Sequence, residues 1–250
     1  MSSATTHPPL VPFPPDSTSP RPVPSLEKLY EMTSVPDERV VIPSVDWAFY
    51  EQLVDSIPEG ANLHVDYDGK DLEIMSLSQL HDGIKKRLGR FVELTAEELE
   101  IPCTGLGQAT WKRPEVTRGL ESDECYYFAP EKLVAAAEAM MRMSMDGAAY
   151  PNPDLAIEVD LSPSKIDRPG IYAALRVAEV WRFDGEHQLI IIEQLEDDGS
   201  HQPVKGSTFL PVRAEEVARW VLKEDFRDGS LWGRRLRAWV QAELAPRIPR

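Results

Sequence analysis

One segment of the chain, residues 153–164, places acidic side chains at alternating positions. Asp154, Glu158 and Asp160 share one parity, and large apolar residues occupy the positions between them. Successive side chains of a β-strand point to opposite faces, so the pattern predicts a strand with one apolar face and one acidic face. Acids are unfavourable in strands beside a core. The acidic face is therefore either a metal or acid–base site, or the solvated side of an ordinary strand.

Spacing decides which of these acids could share a metal ion. At about 3.3 Å per residue, Asp154 and Glu158 lie roughly 13 Å apart. Mg²⁺–oxygen bonds are only about 2.0–2.1 Å long, so these two are unsuited to one ion, whereas Glu158 and Asp160, roughly 7 Å apart at Cα, are closer candidates. A complete site needs another acid. Asp123 is the best placed, because it precedes a predicted aromatic strand; the alternative is an acidic turn.

The elements that position these acids follow from hydrophobic periodicity. Two strands, over residues 64–67 and 72–75, flank the hairpin signal Asp68-Gly69. Ser78 is expected to cap a long amphipathic helix that runs to about residue 100, with Leu80, Ile84 and Leu88 on its apolar face. The other predicted elements are a helix over 45–54 capped by Ser44, strands over 108–111, 125–128, 154–161, 179–183 and 189–194, and helices over 131–141, 171–176, 214–222 and 231–244. This order predicts an α/β (mixed α+β) domain with one sheet covered by helices.

Composition narrows the class of protein. The 250 residues carry a net charge of −15, which argues against a surface that binds nucleic acid by charge alone. Cys103 and Cys125 match neither a disulfide framework nor a zinc-ligand spacing. No apolar run reaches the roughly 18 residues of a membrane span, and no signal peptide is recognisable, so a cytoplasmic protein without a membrane segment is expected. The residues 1–25, rich in Pro, Ser and Thr, predict a disordered tail before a domain over 40–245.

Basic residues offer a second set of candidates. Those on or near the long helix, which are Lys85, Lys86, Arg87, Arg90, Lys112 and Arg113, could follow a phosphate backbone. The alternative is a solvated helix face paired with Glu93, Glu97 and Glu98. Near the C-terminus, Arg234, Arg235 and Arg237 lie beside Trp232 and Trp239, which suggests either nucleic-acid stacking or, from their shared helical face, core tryptophans.

Several motifs in one order resemble the Uma2 family, a bacterial group of restriction-endonuclease-like domains in the PD-(D/E)xK nuclease superfamily. They are LEIMS at 72–76, His81, DECYY at 123–127, PDLAIEVD at 153–160, SPS at 162–164, IYAAL at 171–175 and EVWR at 179–182. The resemblance spans about residues 40–244. It implies a central mixed sheet flanked by helices, with acids on adjacent strands that hold Mg²⁺ or Mn²⁺.

The resemblance also implies roles for particular residues. Asp123 and Glu158 would be the metal ligands. Asp160 occupies the position where the superfamily pattern has lysine, so the cation is expected nearer the following helix, at Lys165 or Arg168. Arginine stabilises an oxyanion but, being always protonated, cannot act as a base.

Two upstream residues complete the candidate catalytic set. Glu73 either faces the site from its hairpin strand or is a solvated strand acid. His81 lies in the first turn of the long helix, off the apolar stripe, where it either contacts phosphate or orients a water, or is a surface or capping residue.

Two functions follow. The first is a metal-dependent endonuclease that hydrolyses phosphodiester bonds of nucleic acid, with DNA the expected substrate and a homodimer a further expectation. The second is a catalytically degenerate module with the nuclease fold that binds nucleic acid or protein without cleavage. The missing lysine after Glu158 and the acidic composition favour the second.

Overall fold

A single residue, Asp123, carries the chain from one β-sheet into another. The computed structural model describes residues 21–58 and 60–248. Its strands are β1 (Val40–Ile42), β2 (Leu63–Tyr67), β3 (Leu72–Ser76), β4 (Thr104–Gly105), β5 (Ala109–Arg113), β6 (Arg118–Ser122), β7 (Glu124–Tyr127), β8 (Leu155–Asp160), β9 (Glu179–Asp184), β10 (Leu189–Leu195) and β11 (His201–Val204). Strand β6 ends just before Asp123 and β7 begins just after it, so this residue lies at the junction of the two sheets.

Seven α-helices are found in the described part of the chain. They are α1 (Leu26–Met32), α2 (Trp47–Ser56), α3 (Gln79–Glu98), α4 (Pro130–Met141), α5 (Arg168–Ala174), α6 (Ala214–Ala218) and α7 (Gly229–Trp239). Single π-helical segments, Arg219–Lys223 and Val240–Leu244, extend α6 and α7. Short 3₁₀ turns lie at Pro114–Val116, Gly147–Ala149 and Ala245–Arg247.

The two sheets differ in topology. The first has five antiparallel strands in the order β1-β3-β2-β6-β5. The second has six strands in the order β11-β10-β9-β8-β7-β4, with β8 and β9 parallel and the other pairs antiparallel. The predicted central mixed sheet flanked by helices is confirmed by this second sheet, whereas the expectation of one sheet alone is wrong. Hydrophobic periodicity identifies strands but not their partners, so it did not reveal that β6 and β7 belong to different sheets.

Capping residues explain where the helices begin. The Asp46 carboxylate accepts the Phe49 N–H at 2.8 Å and caps α2. The prediction that Ser44 caps this helix is wrong, because Ser44 adopts a positive φ of 54° two residues earlier. Ser78 caps α3 as predicted, accepting the His81 N–H at 3.2 Å. In both helices the cap satisfies a backbone donor that has no partner within the helix.

Three apolar clusters hold these layers together. One packs α3, α6 and α7 on one face of the six-stranded sheet, another packs α4 and α5 near its opposite face, and the third joins α1 and α2 to the five-stranded sheet. Helix α1 precedes the predicted domain start at residue 40 and buries Leu29 in the third cluster. Leu80, predicted on the apolar face of α3, is instead 62% exposed.

Two further expectations concern the N-terminal tail and membrane-spanning segments. The predicted disordered tail over residues 1–25 lies almost entirely outside the described residues, which begin at 21. Within residues 21–58 and 60–248, none of the helices combines the length and apolar character needed to cross a bilayer.

Candidate active site

Strand β8 is buried on both faces. Leu155, Ile157 and Val159 pack into the cluster with α3 and α7. Glu158 and Asp160 point to the opposite face, yet they are only 2% and 8% exposed. The alternative of a solvated acidic face is therefore wrong. Two carboxylates in the protein interior require partners, because an isolated buried charge is strongly unfavourable.

Asp123, which immediately precedes β7, lies beside Glu158 of the neighbouring strand β8. In the antiparallel β7–β8 pair, Glu124 is opposite Ile157, so the next step of the register brings Asp123 beside Glu158. The Asp123 side chain continues the ladder, since its Oδ2 accepts the Val159 N–H at 2.7 Å. Asp123 is fully buried, which rules out the acidic surface turn. Sheet pairing thus brings the two predicted metal ligands to one place.

Two buried histidines flank Asp123. His81 Nε2 lies 3.2 Å from Asp123 Oδ2, and His64 Nδ1 lies 3.8 Å from Oδ1. The His81 contact is a polar contact at hydrogen-bond distance that favours the ionised Asp123 carboxylate, whereas Asp123 Oδ1 and both ring nitrogens of His64 have no hydrogen-bond partner. His81 lies in the first turn of α3 and His64 in β2, so a helix and the five-stranded sheet both contribute to the surroundings of Asp123. We call His64, His81 and Asp123 the aspartate pocket.

Burial acts in opposite directions on the groups of the aspartate pocket. Burial lowers the pKa of His64 to about 4, against the opposing charge of Asp123, so the imidazole is neutral near pH 7. Burial alone would raise the pKa of the Asp123 carboxyl, but His81, His64 and the Val159 N–H together lower it to about 2. The pocket therefore presents an ionised carboxylate beside a neutral imidazole.

Arg168 joins three acids on the other side of Glu158. It is the first residue of α5, and its side chain is buried. Its guanidinium pairs with Asp66 Oδ2 at 3.0 Å, with Asp160 Oδ1 at 2.8 Å, and with Glu158 Oε2. The remaining oxygen of Glu158 accepts the Tyr172 O–H from the next turn of the same helix. The cation predicted near the following helix thus reaches Glu158 from Arg168.

A second arginine extends this network. Arg39 precedes β1 and binds Glu73 Oε1 and Asp160 Oδ1. Glu73 also accepts the Lys165 backbone N–H at 2.6 Å and the Ser164 hydroxyl at 3.0 Å. Glu73 is 1% exposed, so it faces the site rather than solvent. The Lys165 ammonium donates to the Arg39 carbonyl at 2.6 Å and pairs with none of the site acids. We call Arg39, Asp66, Glu73, Glu158, Asp160 and Arg168 the arginine cluster.

The arginine cluster holds four acids and two arginines. Burial raises the pKa of Glu158 well above its usual range, and burial also raises the pKa of Asp66; the charge of Arg168 opposes both shifts. The pKa of the Arg168 guanidinium is raised by Asp66, Glu158 and Asp160 despite its burial. The excess of acids favours a further positive charge at this site, either as protons or as a bound cation.

The two candidate ligands, Asp123 and Glu158, differ in whether their carboxylate oxygens are free to bind a divalent cation. Asp123 Oδ1 is a buried carboxylate oxygen without a hydrogen-bond partner, which is an atom that a cation would satisfy. Both Glu158 oxygens already accept hydrogen bonds, so Glu158 fits once Arg168 or Tyr172 releases one of them. Across residues 21–58 and 60–248, no group of three or more His, Cys, Asp or Glu side chains is arranged to hold a metal ion. A cation therefore fits best at Asp123, with Glu158 as a second ligand after a local change.

A cleft of about 700 Å³ opens beside the aspartate pocket. His64 lies in its wall, together with Lys85, Gln108 and Glu121. The Lys85 ammonium donates to Gln108 Oε1 at 2.8 Å, and the Gln108 amide donates to Glu121. Burial raises the pKa of Glu121 to about 7. His64 thus borders the cleft, while its ring nitrogens and the Asp123 carboxylate lie buried behind the cleft wall.

The remaining candidates have structural roles. Asp154, excluded by spacing, accepts the backbone N–H groups of Phe128 and Ala129, both at 2.7 Å, and pairs with Lys132 at the start of α4. Arg87 and Arg90 lie over the rings of Phe226 and Trp232 instead of pairing with the glutamates of α3. The prediction of that pairing is wrong for these two arginines, because the π-segment after α6 and helix α7 cover this face of α3.

The C-terminal tryptophans belong to the core. Trp232 is fully buried and donates to the Trp220 carbonyl at 3.1 Å. Arg237 pairs with Glu97 and Glu98. Trp232 is therefore a packing residue, and the nucleic-acid stacking alternative finds no support in it.

Sequence reasoning missed four residues that contact the site: Arg39, His64, Asp66 and Tyr172. A signal existed for Asp66, because a second acid in a hairpin strand lies directly opposite Glu73. Tyr172 was named in a motif, but its contact with Glu158 depends on the rotation of α5. Arg39 acts from more than 120 residues away in sequence, a separation that no local pattern encodes.

Comparison with known families identifies a match to this chain. A family model for Uma2, described as "Putative restriction endonuclease", matches residues 47–222, more than two thirds of the chain. No curated protein matches the sequence. Asp123, Glu158 and Arg168 all lie within the matched region, while Arg39 precedes it. The chain belongs to the Uma2 family of restriction-endonuclease-like proteins.

Proposed function

We propose that this protein is a divalent-metal-dependent endonuclease that hydrolyses phosphodiester bonds, with Asp123 and Glu158 as the metal ligands and Mg²⁺ or Mn²⁺ as the ion. The family supports a nuclease of the restriction-endonuclease type. The observation that carries the metal dependence is the Asp123 carboxylate, which is buried, held at a pKa of about 2, and has one oxygen without a hydrogen-bond partner beside Glu158. Such an oxygen is costly in a folded protein unless a ligand satisfies it.

Each residue has a defined part in this mechanism. A divalent ion at this site would lower the pKa of a bound water and offset negative charge on the phosphate. The Val159 N–H fixes the orientation of Asp123, and the Tyr172 O–H and Arg168 fix that of Glu158. Arg168 remains protonated, so it accepts no proton; with its three nitrogens paired to Asp66, Glu158 and Asp160, it holds Glu158 in place and offsets the charge of these acids.

Three further residues of the catalytic set act around these ligands. His81 lies against Asp123 and keeps its carboxylate ionised. Glu73 binds the backbone of Lys165 and so holds the loop between β8 and α5, the helix that carries Arg168. We assign Lys165 to this loop contact, since its ammonium is bound to the Arg39 carbonyl.

Cleavage of plasmid DNA tests the proposal. The wild-type protein is expected to nick supercoiled DNA with Mg²⁺ or Mn²⁺ and to stop on addition of a chelator. Glu158→Gln removes a ligand charge and should lower the rate about a thousandfold. The matched control is Glu216→Gln, which changes a glutamate of α6 that pairs with Arg247 away from the site and should leave cleavage intact. A folded wild-type protein that cleaves neither DNA nor RNA with any divalent ion overturns the proposal.

The second candidate is a module that keeps the fold and binds nucleic acid or protein without cleavage. The occupied Glu158 oxygens favour it, because Arg168 and Tyr172 fill the positions that a metal would need. Calorimetric titration with Mn²⁺ separates the two candidates. The nuclease should bind Mn²⁺ and lose that binding in Asp123→Asn, whereas the module should release no heat in either form.

DNA is the substrate that we propose for this nuclease, and RNA oligonucleotides in the same assay test that choice. A homodimer, in which each copy cuts one strand, is a further proposal that sedimentation of the protein on DNA would test. The cytoplasmic location stays a prediction.

A further inference from the structure

Arg39 lies outside the region matched by the family model, yet all of its side-chain nitrogens bind within the site. Its Nε donates to the Ser162 carbonyl at 3.1 Å, its Nη1 to Glu73, and its Nη2 to Asp160. The residue is 2% exposed. A guanidinium with every nitrogen engaged by fixed partners has little freedom to move. Arg39 therefore ties the segment before β1 to the end of β8 and to the loop that follows it.

Asp160 connects the two arginines. Its Oδ1 accepts from both Arg39 Nη2 and Arg168 Nη1, so one carboxylate oxygen holds two guanidinium groups that would otherwise repel each other. Arg168 in turn binds Glu158. The contacts form a continuous series from Arg39 through Asp160 and Arg168 to Glu158, and every member is buried.

We propose that Arg39 is a positioning residue for the cleavage site: through Asp160 it holds Arg168 against Glu158, and it limits the negative charge that the site presents to a cation. The inference rests on the proposed metal-dependent cleavage. It assigns a role in the reaction to a residue that the family match does not include.

The role predicts effects of opposite sign on metal binding and on catalysis. Without Arg39, Glu73 and Asp160 lose one of their partners and the cluster gains one net negative charge. Coulomb attraction to a divalent ion then increases, so the Kd for Mn²⁺ should fall about tenfold. Asp160 also loses the Arg39 contact that fixes it, so Asp160 no longer holds Arg168 firmly against Glu158. This displacement should lower kcat by about ten- to a hundredfold. A residue with a merely structural role would weaken both metal binding and catalysis.

Arg39→Gln tests this prediction in the full-length protein. Mn²⁺ affinity is measured by calorimetry and kcat on plasmid DNA, with circular dichroism to establish that the variant is folded. The matched control is Arg237→Gln, because Arg237 also pairs with two acids, Glu97 and Glu98, but on α7 away from the site. This control should keep both the Kd for Mn²⁺ and kcat at wild-type values.

A second variant covers the case in which Arg39→Gln does not fold. Arg39→Lys keeps the charge, but one ammonium cannot bind Ser162, Glu73 and Asp160 in the same geometry. It should retain wild-type Mn²⁺ affinity with a reduced kcat.

The outcomes separate this inference from the proposed function. A wild-type protein that neither binds Mn²⁺ nor cleaves overturns the proposed function, and the role of Arg39 with it. A wild-type protein that cleaves, together with an Arg39→Gln or Arg39→Lys variant of unchanged kcat, overturns the role of Arg39 alone. Weaker Mn²⁺ binding combined with a lower kcat in folded Arg39→Gln also overturns it, since that result describes a structural residue.

Discussion

The arginine cluster and the aspartate pocket lie on either side of Glu158 and solve the problem of buried charge differently. In the arginine cluster every acid contacts a guanidinium, and Asp160 contacts two. In the aspartate pocket a carboxylate oxygen and both imidazoles have buried atoms without hydrogen-bond partners. The cluster leaves one such atom, Arg168 Nε, and this atom still lies 3.0 Å from Asp66 Oδ2. Buried polar atoms are normally satisfied, so the cluster has the pattern of a structural network and the pocket that of a site awaiting a ligand.

The two regions also differ in the residues that each sheet contributes to them. The arginine cluster takes Asp66 and Glu73 from the five-stranded sheet and Glu158 and Asp160 from the six-stranded sheet, and the arginines bridge them. The aspartate pocket centres on the one residue that joins the sheets. The arginine cluster thus links the two sheets, and the aspartate pocket lies at the junction between them.

The largest expected effect comes from breaking the arginine cluster at its centre. Arg168→Met leaves Asp66, Glu158 and Asp160 buried without their shared cation. Removal of one partner from a buried ionic network typically costs about 3–5 kcal/mol, and we expect a loss of that size in the free energy of unfolding at pH 7. Urea denaturation of the metal-free protein measures it.

The pH dependence of this loss provides an internal check. Arg168 opposes the burial that raises the pKa of Glu158 and Asp66, so its removal raises both further. An acid with a raised pKa in the folded state binds more protons there than in the unfolded state, and stability then increases as the pH falls. The loss in Arg168→Met should be smaller at pH 5 than at pH 7. The control Arg237→Met, which removes a partly exposed arginine that pairs with Glu97 and Glu98 away from the cluster, should cost less than about 1 kcal/mol.

A smaller effect is expected from the aspartate pocket, with the opposite pH dependence. His64 has a pKa of about 4 when folded and about 6.5 when unfolded. Between these values the unfolded chain binds the extra proton, so the stability due to His64 is present above pH 6.5 and is lost as the pH falls towards 4. From pH 7 to pH 5 this amounts to about 2 kcal/mol.

A difference between wild type and His64→Asn isolates this contribution. Both proteins share the pH dependence of Glu158, Asp66 and Glu121. Between pH 7 and pH 5 the variant should therefore lose about 2 kcal/mol less of its unfolding free energy than the wild type. His187→Asn, which replaces an exposed histidine bound to Asp184, should not reduce the loss. Equal losses in wild type and His64→Asn would show that His64 is not held neutral in the folded state.

The two regions also differ in how far the sequence predicts them. Asp123 and Glu158 as metal ligands, and Lys165 or Arg168 as the cation, were predicted from the resemblance to the Uma2 family. The hairpin of β2 and β3, the Ser78 cap and strand β8 were predicted from local signals. Local signals suffice where the physical cause is the pattern of alternation or a capping interaction.

The partners of these residues depend on tertiary geometry. Arg39 and Asp160 are 121 residues apart, and His64 reaches Asp123 only because α3 and β2 pack beside the junction of the sheets. His81 was expected off the apolar stripe of α3, and that expectation is wrong: His81 shares the buried face of the helix with Ile84 and Leu88, and it points into the interior at Asp123. Periodicity gives the direction of a side chain on its helix, whereas packing decides what lies in that direction.

The smallest expected effect tests the boundary between the two regions at Glu158 itself. Tyr172→Phe removes the hydroxyl that donates to Glu158 Oε1 and keeps the ring in the core. A buried acceptor left without its donor typically costs about 1–3 kcal/mol, but Arg168 still satisfies the other oxygen, so we expect about 1.5 kcal/mol by urea denaturation. The same change frees a Glu158 oxygen towards Asp123. Calorimetry should therefore show tighter Mn²⁺ binding in Tyr172→Phe than in wild type, although the protein is less stable. Unchanged Mn²⁺ affinity would mean that Glu158 belongs to the arginine cluster alone and that the aspartate pocket binds its ligand without it.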